Sequence, residues 1–299
     1  PTRLKRDIVD KWIDSAVAAG YKRNPDYNGS DQEGVGYFQL TLDKGRRCSS
    51  AVAYLKPARD RKNLTIITHA QAEKLLIKDG RTTGVTVNIK GASQDIMARR
   101  EVILSAGTIG SPQILMLSGV GAADELKQQG ITVVHNLPGV GKNLQDHLQA
   151  RPIFKTHLST INIETNNLLK QGIIALQYAL TQTGPMTMAA SLGTAFLKTD
   201  PTLDTPDIQF HIQPFSASAP ADGPHKFSAF TASVLQMRPE STGHIALKSA
   251  NWRDHPAIHP NYLATKLDQE TIVKGIQIAR KIAQFEPLKA LITGEFTPG

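Results

Sequence analysis

A single cysteine, Cys48, is all the thiol chemistry in this 299-residue chain. It excludes an internal disulfide and a thiolate metal cluster, and its expected part is that of a small packing residue. The nine histidines are dispersed. His255 and His259 are four apart, but Pro256 between them disfavours a helical ligand pair, so no metal constellation is expected. No Gly-x-Ser-x-Gly elbow occurs, which leaves Ser–His–Asp hydrolase chemistry without a frame. No Gly-x-Gly-x-x-Gly occurs either; Gly34-Val35-Gly36 comes nearest and lacks the third glycine. No stretch is long and apolar enough to span a bilayer. No leader is recognised, but a chain that opens at Pro1 rather than Met gives that observation little weight.

Acidic residues are outnumbered, 26 against 34 Lys and Arg, for a net charge of +8. The basic residues are scattered. The densest run, Lys56 to Lys62, is broken by Pro57 and Asp60. This reads as a solvated basic surface rather than a nucleic-acid footprint. A composition of 40% hydrophobic and 20% charged residues, with 23 Gly and 17 Pro, suits a loop-rich globular chain of one large or two ordinary domains.

The periodicity predicts a helix over 4–17, stopped by Gly20 as a left-handed cap. A second helix is expected from Ser49 or Ser50 to Leu55 or beyond, loosened by Pro57. Short strands are expected at 64–68, 73–77 and 85–89, the last two joined by an Asp79-Gly80 turn. Further strand is expected over 96–104, a helix near 122–129 and a strand over 131–134. After His147 the pattern predicts a helix over 168–180, then strands at 193–197, 207–213, 227–237 and 243–247 in a largely antiparallel sheet. A final helix over 268–283 carries Ile272, Val273, Ile276, Ala279 and Ile282 on one face.

The most informative stretch runs from Ser105 to Gly121. The apolar Val102-Ile103-Leu104 reads as a buried strand, Ser105-Ala106-Gly107 as a tight turn, and Ser111-Pro112 as a helix start with proline at its first position. A strand, a small-residue turn and a helix N-terminus suit a nucleotide diphosphate, because the backbone approaches closely and free N–H groups point at the phosphates. This segment resembles the second signature of the GMC (glucose–methanol–choline) flavin oxidoreductases. So does its continuation, Leu137-Pro138-Gly139-Val140-Gly141-Lys142-Asn143-Leu144-Gln145-Asp146-His147. Asp26-Tyr27-Asn28-Gly29, Gly45-Arg46-Arg47-Cys48-Ser49-Ser50, Arg238-Pro239 with Gly243-His244-Ile245, and Pro260-Asn261-Tyr262-Leu263 follow in family order.

The resemblance implies a mixed α+β and α/β chain: part of a Rossmann-like FAD-binding domain with a substrate domain of antiparallel sheet backed by helices. It places a helical and loop part of the substrate or cap region in 1–60, the centre of the FAD domain in 61–147 and the substrate domain in 148–299. It implies FAD as cofactor, with Ala72, Ser105, Ala106 and Gly107 beside it; Ala72 is placed by spacing, where the family often has Val. It further implies oxidation of a primary or other small alcohol to an aldehyde or ketone by hydride transfer to flavin. A GMC-fold lyase that uses FAD without redox chemistry, and a non-catalytic basic binding module, remain alternatives. The Gly-rich opening and the catalytic-His segment of the family are not recognised, so the chain reads as an internal fragment that is inactive alone, with no catalytic residue assigned. The expected location is cytoplasmic or peripheral to the inner membrane.

Two residues are expected at a substrate pocket. Gln209, His211 and Gln213 share one face of a strand, and such a face either meets solvent or lines a polar pocket in which His211 helps hold an alkoxide. Leu192 falls where choline-oxidising members are expected to carry a Glu, which argues for a neutral or apolar alcohol. Asp146-His147 is not expected to act as an acid–base dyad, since adjacent residues rarely face one another; His147 reads as a structural histidine.

Overall fold

In a computed structural model, residues 4–219 and 222–299 are described. In chain order the elements are α1 (Asp7–Ala18), β1 (Gly34–Tyr37), a small hairpin β2 (Leu42–Asp43) and β3 (Arg46–Arg47), and a π-helical turn (Ala51–Leu55) running into α2 (Lys56–Ala58). Then come β4 (Ala70–Lys78), β5 (Arg81–Ile89), β6 (Ala92–Met97), α3 (Gly107–Leu117), β7 (Val120–Gly121), α4 (Ala123–Gln128) and β8 (His135–Asn136). They are followed by β9 (Gln149–Ala150), β10 (Ile153–Thr156), α5 (Ile161–Thr165), α6 (Leu168–Thr181) and a 3-10 turn (Pro185–Thr187). The remainder is β11 (Gly193–Leu197), β12 (Ile208–Gln213), β13 (Ala229–Gln236), β14 (His244–Ala246), β15 (Ala257–His259), α7 (Lys266–Ala283) and β16 (Ile292–Thr297).

Two compact units share these elements, and both are discontinuous. Among the described residues, the first takes 4–57, 147–219, 222–239 and 265–299; the second takes 58–146 and 240–264. The segment 240–264, placed by sequence in the substrate domain, thus packs with the unit that holds the Ser105 turn.

The first unit is built on a seven-stranded antiparallel sheet, ordered β1-β11-β12-β13-β10-β16 with β9 also on β13. Strict alternation in β12 sends Ile208, Phe210 and Ile212 into the core and leaves Gln209 and His211 half-buried on the other face. The core face is covered by α1 and α7. Ile8, Val9, Trp12, Ile13 and Ala16 recur at helical spacing and are buried, and the Trp12 ring lies 5.7 Å from that of Phe210. Helix α7 approaches β13 closely because Gly275 has no side chain: a Cβ there would lie 2.7 Å from Val234 Cγ2. Thr265 caps α7 by accepting the Asp268 N–H at 3.3 Å. The buried Ser15 hydroxyl accepts the Leu288 N–H at 2.9 Å, tying α1 to the chain after α7.

The second unit holds the meander β4-β5-β6, the parallel pair β7-β8, α3, α4 and the β14-β15 hairpin. Its small core joins Met116, Leu126, Val140 and Ile245. The Asp79-Gly80 turn forms as expected, with φ of 51° and 74°, the pair of left-handed residues a tight hairpin requires.

Several expectations are corrected. Residues 64–68 and 101–104 form no strand; Ile67 is 49% and Ile103 79% exposed. Their β-branched apolar composition suits a strand, but no neighbour supplies a ladder partner. The meander instead uses β6, which ends at Met97. Helix α3 starts at Gly107, not Ser111, and Pro112 lies inside it; the missing Pro112 N–H leaves the Thr108 carbonyl without its helical partner. Residues 131–134 are not a strand; Val134 N–H and His135 N–H both turn to the Gly119 carbonyl, and the pairing moves to β8. β14 belongs to a two-stranded hairpin with β15, not to the large sheet.

Candidate functional site

In the second unit, the Ser105 turn is open to solvent: Ser105, Ala106 and Gly107 are all exposed. Gly107 takes φ +80°, and a Cβ on it would meet nothing within 4 Å. The Ala106 N–H donates to Ser111 Oγ at 3.1 Å, which folds the turn back onto α3. The first N–H groups of this 11-residue helix have no intrahelical acceptor. A cavity of about 470 Å³ runs beside them, lined by Thr108, Ser111 and Leu115 from α3 and by Val140, Lys142, Asn143 and Gln145 from the second motif. The two stretches that carry the resemblance therefore meet at one cavity. Gly141 takes φ +78° and lies so close to the Ile245 carbonyl that a Cβ would sit 2.5 Å from it. Lys142 is held by Glu125, Nζ to Oε1 2.6 Å.

Ala72 lies half-buried on β4, the edge strand of the meander, opposite Val87. Helix α3 packs along β4, and the Ser118 hydroxyl at its end accepts the Leu75 N–H at 2.8 Å. Small residues, an open left-handed glycine, free helix N-terminal N–H groups and a lysine at a cavity form a donor set that fits a dinucleotide diphosphate. Asp146 accepts the Tyr262 hydroxyl, a contact that joins the two family motifs and that spacing alone did not reveal. This bond pushes the Tyr262 pKa up.

In the first unit, the strand registers align Gly36, Thr194, His211 and Ser233 in one row across β1, β11, β12 and β13. Gln209 donates to Thr194 Oγ1 at 3.3 Å, and Arg151 Nη2 donates to Gln213 Oε1 at 3.3 Å. The buried Ser233 hydroxyl and Arg151 Nε have no hydrogen-bond partner among the described residues. A buried hydroxyl without a protein partner, beside a histidine, is open to a hydrogen bond from water or another polar group. The His211 ring lies 5.0 Å from that of Phe38. Burial first, and then the charge of His147, push the His211 pKa down, so the ring is neutral at pH 7 and offers one N–H and one acceptor nitrogen.

Leu192 does not join this face. It is fully buried in the apolar core with Trp12 and Phe210, because it precedes β11 and does not follow that strand's alternation. Its argument for substrate class therefore falls. His147 contacts the Met237 carbonyl through Nε2 at 2.9 Å. A further cavity, of about 590 Å³, lies under the Gly45–Ser49 loop, with Arg46, Arg47, Cys48, Tyr178, Met186 and Met188 in its lining. The Gly-Arg-Arg-Cys motif was its only sequence signal.

The family model described as GMC oxidoreductase matches this chain in two parts, an N-terminal one over residues 4–149 and a C-terminal one over 239–299. The chain belongs to the GMC oxidoreductase family. It is 39% identical over 298 residues to alcohol dehydrogenase [acceptor] of Pseudomonas putida, covering 98% of this chain and 53% of that protein. It is 38% identical over 300 residues to mitochondrial choline dehydrogenase of Mus musculus, covering 99% and 50%. The structure of pyridoxine 4-oxidase from Mesorbium loti is similar with TM-score 0.85 at 25% identity, over 100% of this chain and 55% of that one. A formate oxidase structure shares the fold with TM-score 0.86 at 24% identity, over 98% and 55%. The chain thus spans about half the length of the relatives it matches.

Proposed function

We propose that the protein to which this chain belongs oxidises a small neutral alcohol to the aldehyde or ketone with FAD. The observation that carries this reading is the meeting of the Ser105–Pro112 and Gly139–Gln145 motifs at one cavity in a GMC chain. Bound FAD would supply the chemistry by accepting hydride from the carbinol carbon. The backbone N–H groups at the start of α3 and the Lys142 ammonium would hold the diphosphate, and the small Ser105, Ala106 and Gly107 would let the backbone approach. The backbone of Ala72 would lie against the adenine. His211 would donate its ring N–H to the substrate oxygen, holding the alkoxide once the hydroxyl proton has passed to a histidine base of the kind the family carries on its catalytic-His segment.

The polar row favours a neutral substrate. Gln209, His211, Gln213, Thr194 and Ser233 include no carboxylate to pair with a trimethylammonium group. The test is anaerobic reduction of the flavin-loaded protein. A primary alcohol is expected to bleach the visible flavin band and choline to leave it, and His211→Phe is expected to slow bleaching about a hundredfold. Retained flavin that no alcohol bleaches would reject the reading, and bleaching by choline alone would reject the substrate class.

A further inference from the structure

Tyr37 and Leu40 pack against the large core of the first unit, whereas Phe38, between them, turns to the opposite face of the sheet and meets His211. The two rings are tilted at 59° with centroids 5.0 Å apart. Tyr27 stands edge-on to Phe38 at 6.2 Å and lies 5.1 Å from Phe196, which shares the face of β11 that carries Thr194. These rings wall the side of His211 on which the strand row itself supplies only Thr194 and Gly36. On the other side the row continues to Ser233, with Arg151 and Gln213 bonded nearby. The imidazole therefore has an apolar flank and a polar flank.

Polar bonds fix the apolar flank from behind. The Phe38 N–H donates to the Leu192 carbonyl at 2.8 Å. The next residue, Gln39, donates its backbone N–H to the Tyr27 hydroxyl at 2.9 Å and its side-chain amide to Asp26 Oδ1 at 2.8 Å. It also accepts from Asn28 Nδ2 at 2.8 Å. The turn closes on itself, since the Asn28 N–H donates to Asp26 Oδ1 at 3.2 Å and the Gly29 N–H to the Asp26 carbonyl at 3.1 Å. The Asp26-Tyr27-Asn28-Gly29 motif, which the proposed oxidation leaves without a part, is thus the brace of Phe38. A wall positioned in advance needs no ordering when a ligand arrives and discriminates by shape.

We propose that Phe38 is a specificity-determining residue: with the alcohol oxygen on His211, the chain that follows the carbinol carbon lies along the Phe38 ring, so the favoured substrate is a primary alcohol with an apolar alkyl arm. A methylene moved from water onto an apolar surface is worth up to about fourfold. A hydroxyl at the same place would lose its water partners, and the ring offers no replacement. This inference rests on the proposed oxidation and deepens it by naming the arm of the substrate.

The test compares anaerobic flavin bleaching by 1-hexanol and by ethanol in the full-length, flavin-loaded protein. The second-order rate is expected to be about fiftyfold higher for 1-hexanol, the worth of three buried methylenes. Phe38→Ala is expected to bring that ratio below about tenfold, and Phe38→Leu, which keeps an apolar wall, to hold it near the wild-type value. The ratio is taken within one variant, so a general loss of folded or flavin-loaded protein cancels. Phe38→Trp reads the same contact without turnover: 1-hexanol, and not ethanol at equal concentration, is expected to shift the added emission to the blue. Bleaching with a ratio unchanged in Phe38→Ala would overturn this assignment and leave the oxidation standing. Flavin that neither alcohol bleaches, together with the blue shift, would overturn the oxidation and leave the apolar site beside His211. A Phe38→Trp emission indifferent to 1-hexanol would overturn the assignment in either case.

Discussion

Burial holds the His211 imidazole below its ordinary pKa, and the charge of His147 acts in the same direction. The linkage has a definite sign. The unfolded chain takes up the proton near pH 6.5, whereas the folded chain resists it to lower pH. The contribution of neutral His211 to stability is therefore complete above the unfolded pKa and is lost as pH falls below it. His211→Gln keeps a polar side chain on β12 and cannot titrate. Melting temperatures measured from pH 8 down to pH 5 should fall less steeply for His211→Gln than for the wild type. Parallel acid limbs would show that His211 is not held neutral by its surroundings. The sequence had already placed 209, 211 and 213 on one face, because alternation is a two-residue rule that short strands obey. Leu192 was misplaced because it stands one residue outside β11, where that rule no longer applies.

The elements that depended on local pattern were legible: α1, α6, α7 and β11 to β13 carry their periodicity in their own residues, and Asp79-Gly80 carries its turn. The elements that failed were those whose state is set by a distant neighbour. Residues 64–68 and 101–104 have strand composition and no ladder, and β14 found β15 rather than the large sheet. The contact of α7 with β13 is of the same long-range kind and rests on one glycine. A side chain at Gly275 would collide with the isopropyl group of Val234, 2.7 Å from Cγ2 and 3.3 Å from Cγ1. Gly275→Leu has no helix-propensity penalty to overcome, since leucine favours helix more than glycine does. Any loss is therefore overpacking, expected at about 1–3 kcal/mol. Urea unfolding should show the loss, and the double variant with Val234→Ala should recover part of it. A more stable Gly275→Leu would mean that α7 moves aside freely.

At the scale of the whole chain, the two units differ in how much apolar mass holds them. The first closes Trp12, Phe210, Phe230, Ile208, Ile212, Ile282 and Leu288 into one core without solvent access. The second relies on Met116, Leu126, Val140 and Ile245, with an exposed meander strand in β6 and exposed Ile66, Ile67 and Ile103. Stability follows buried apolar area, so the second unit is expected to unfold first. The tryptophans separate the two events: Trp12 is 1% exposed in the first unit, and Trp252, stacked under Arg253 at 4.2 Å, belongs to the second. In Trp252→Phe, fluorescence reports Trp12 alone, while circular dichroism reports both units. Urea should give a two-step dichroism curve whose later step coincides with the Trp12 transition. FAD at a hundredfold excess over its Kd should stabilise the early step by about 2.7 kcal/mol and leave the later one in place, because the Ser105 turn and its cavity lie wholly in the second unit. A single transition common to both probes would show that the units unfold as one. A FAD-induced shift confined to the later step would move the cofactor site out of the second unit, and with it the roles proposed for Ser105, Ala106, Gly107 and Lys142.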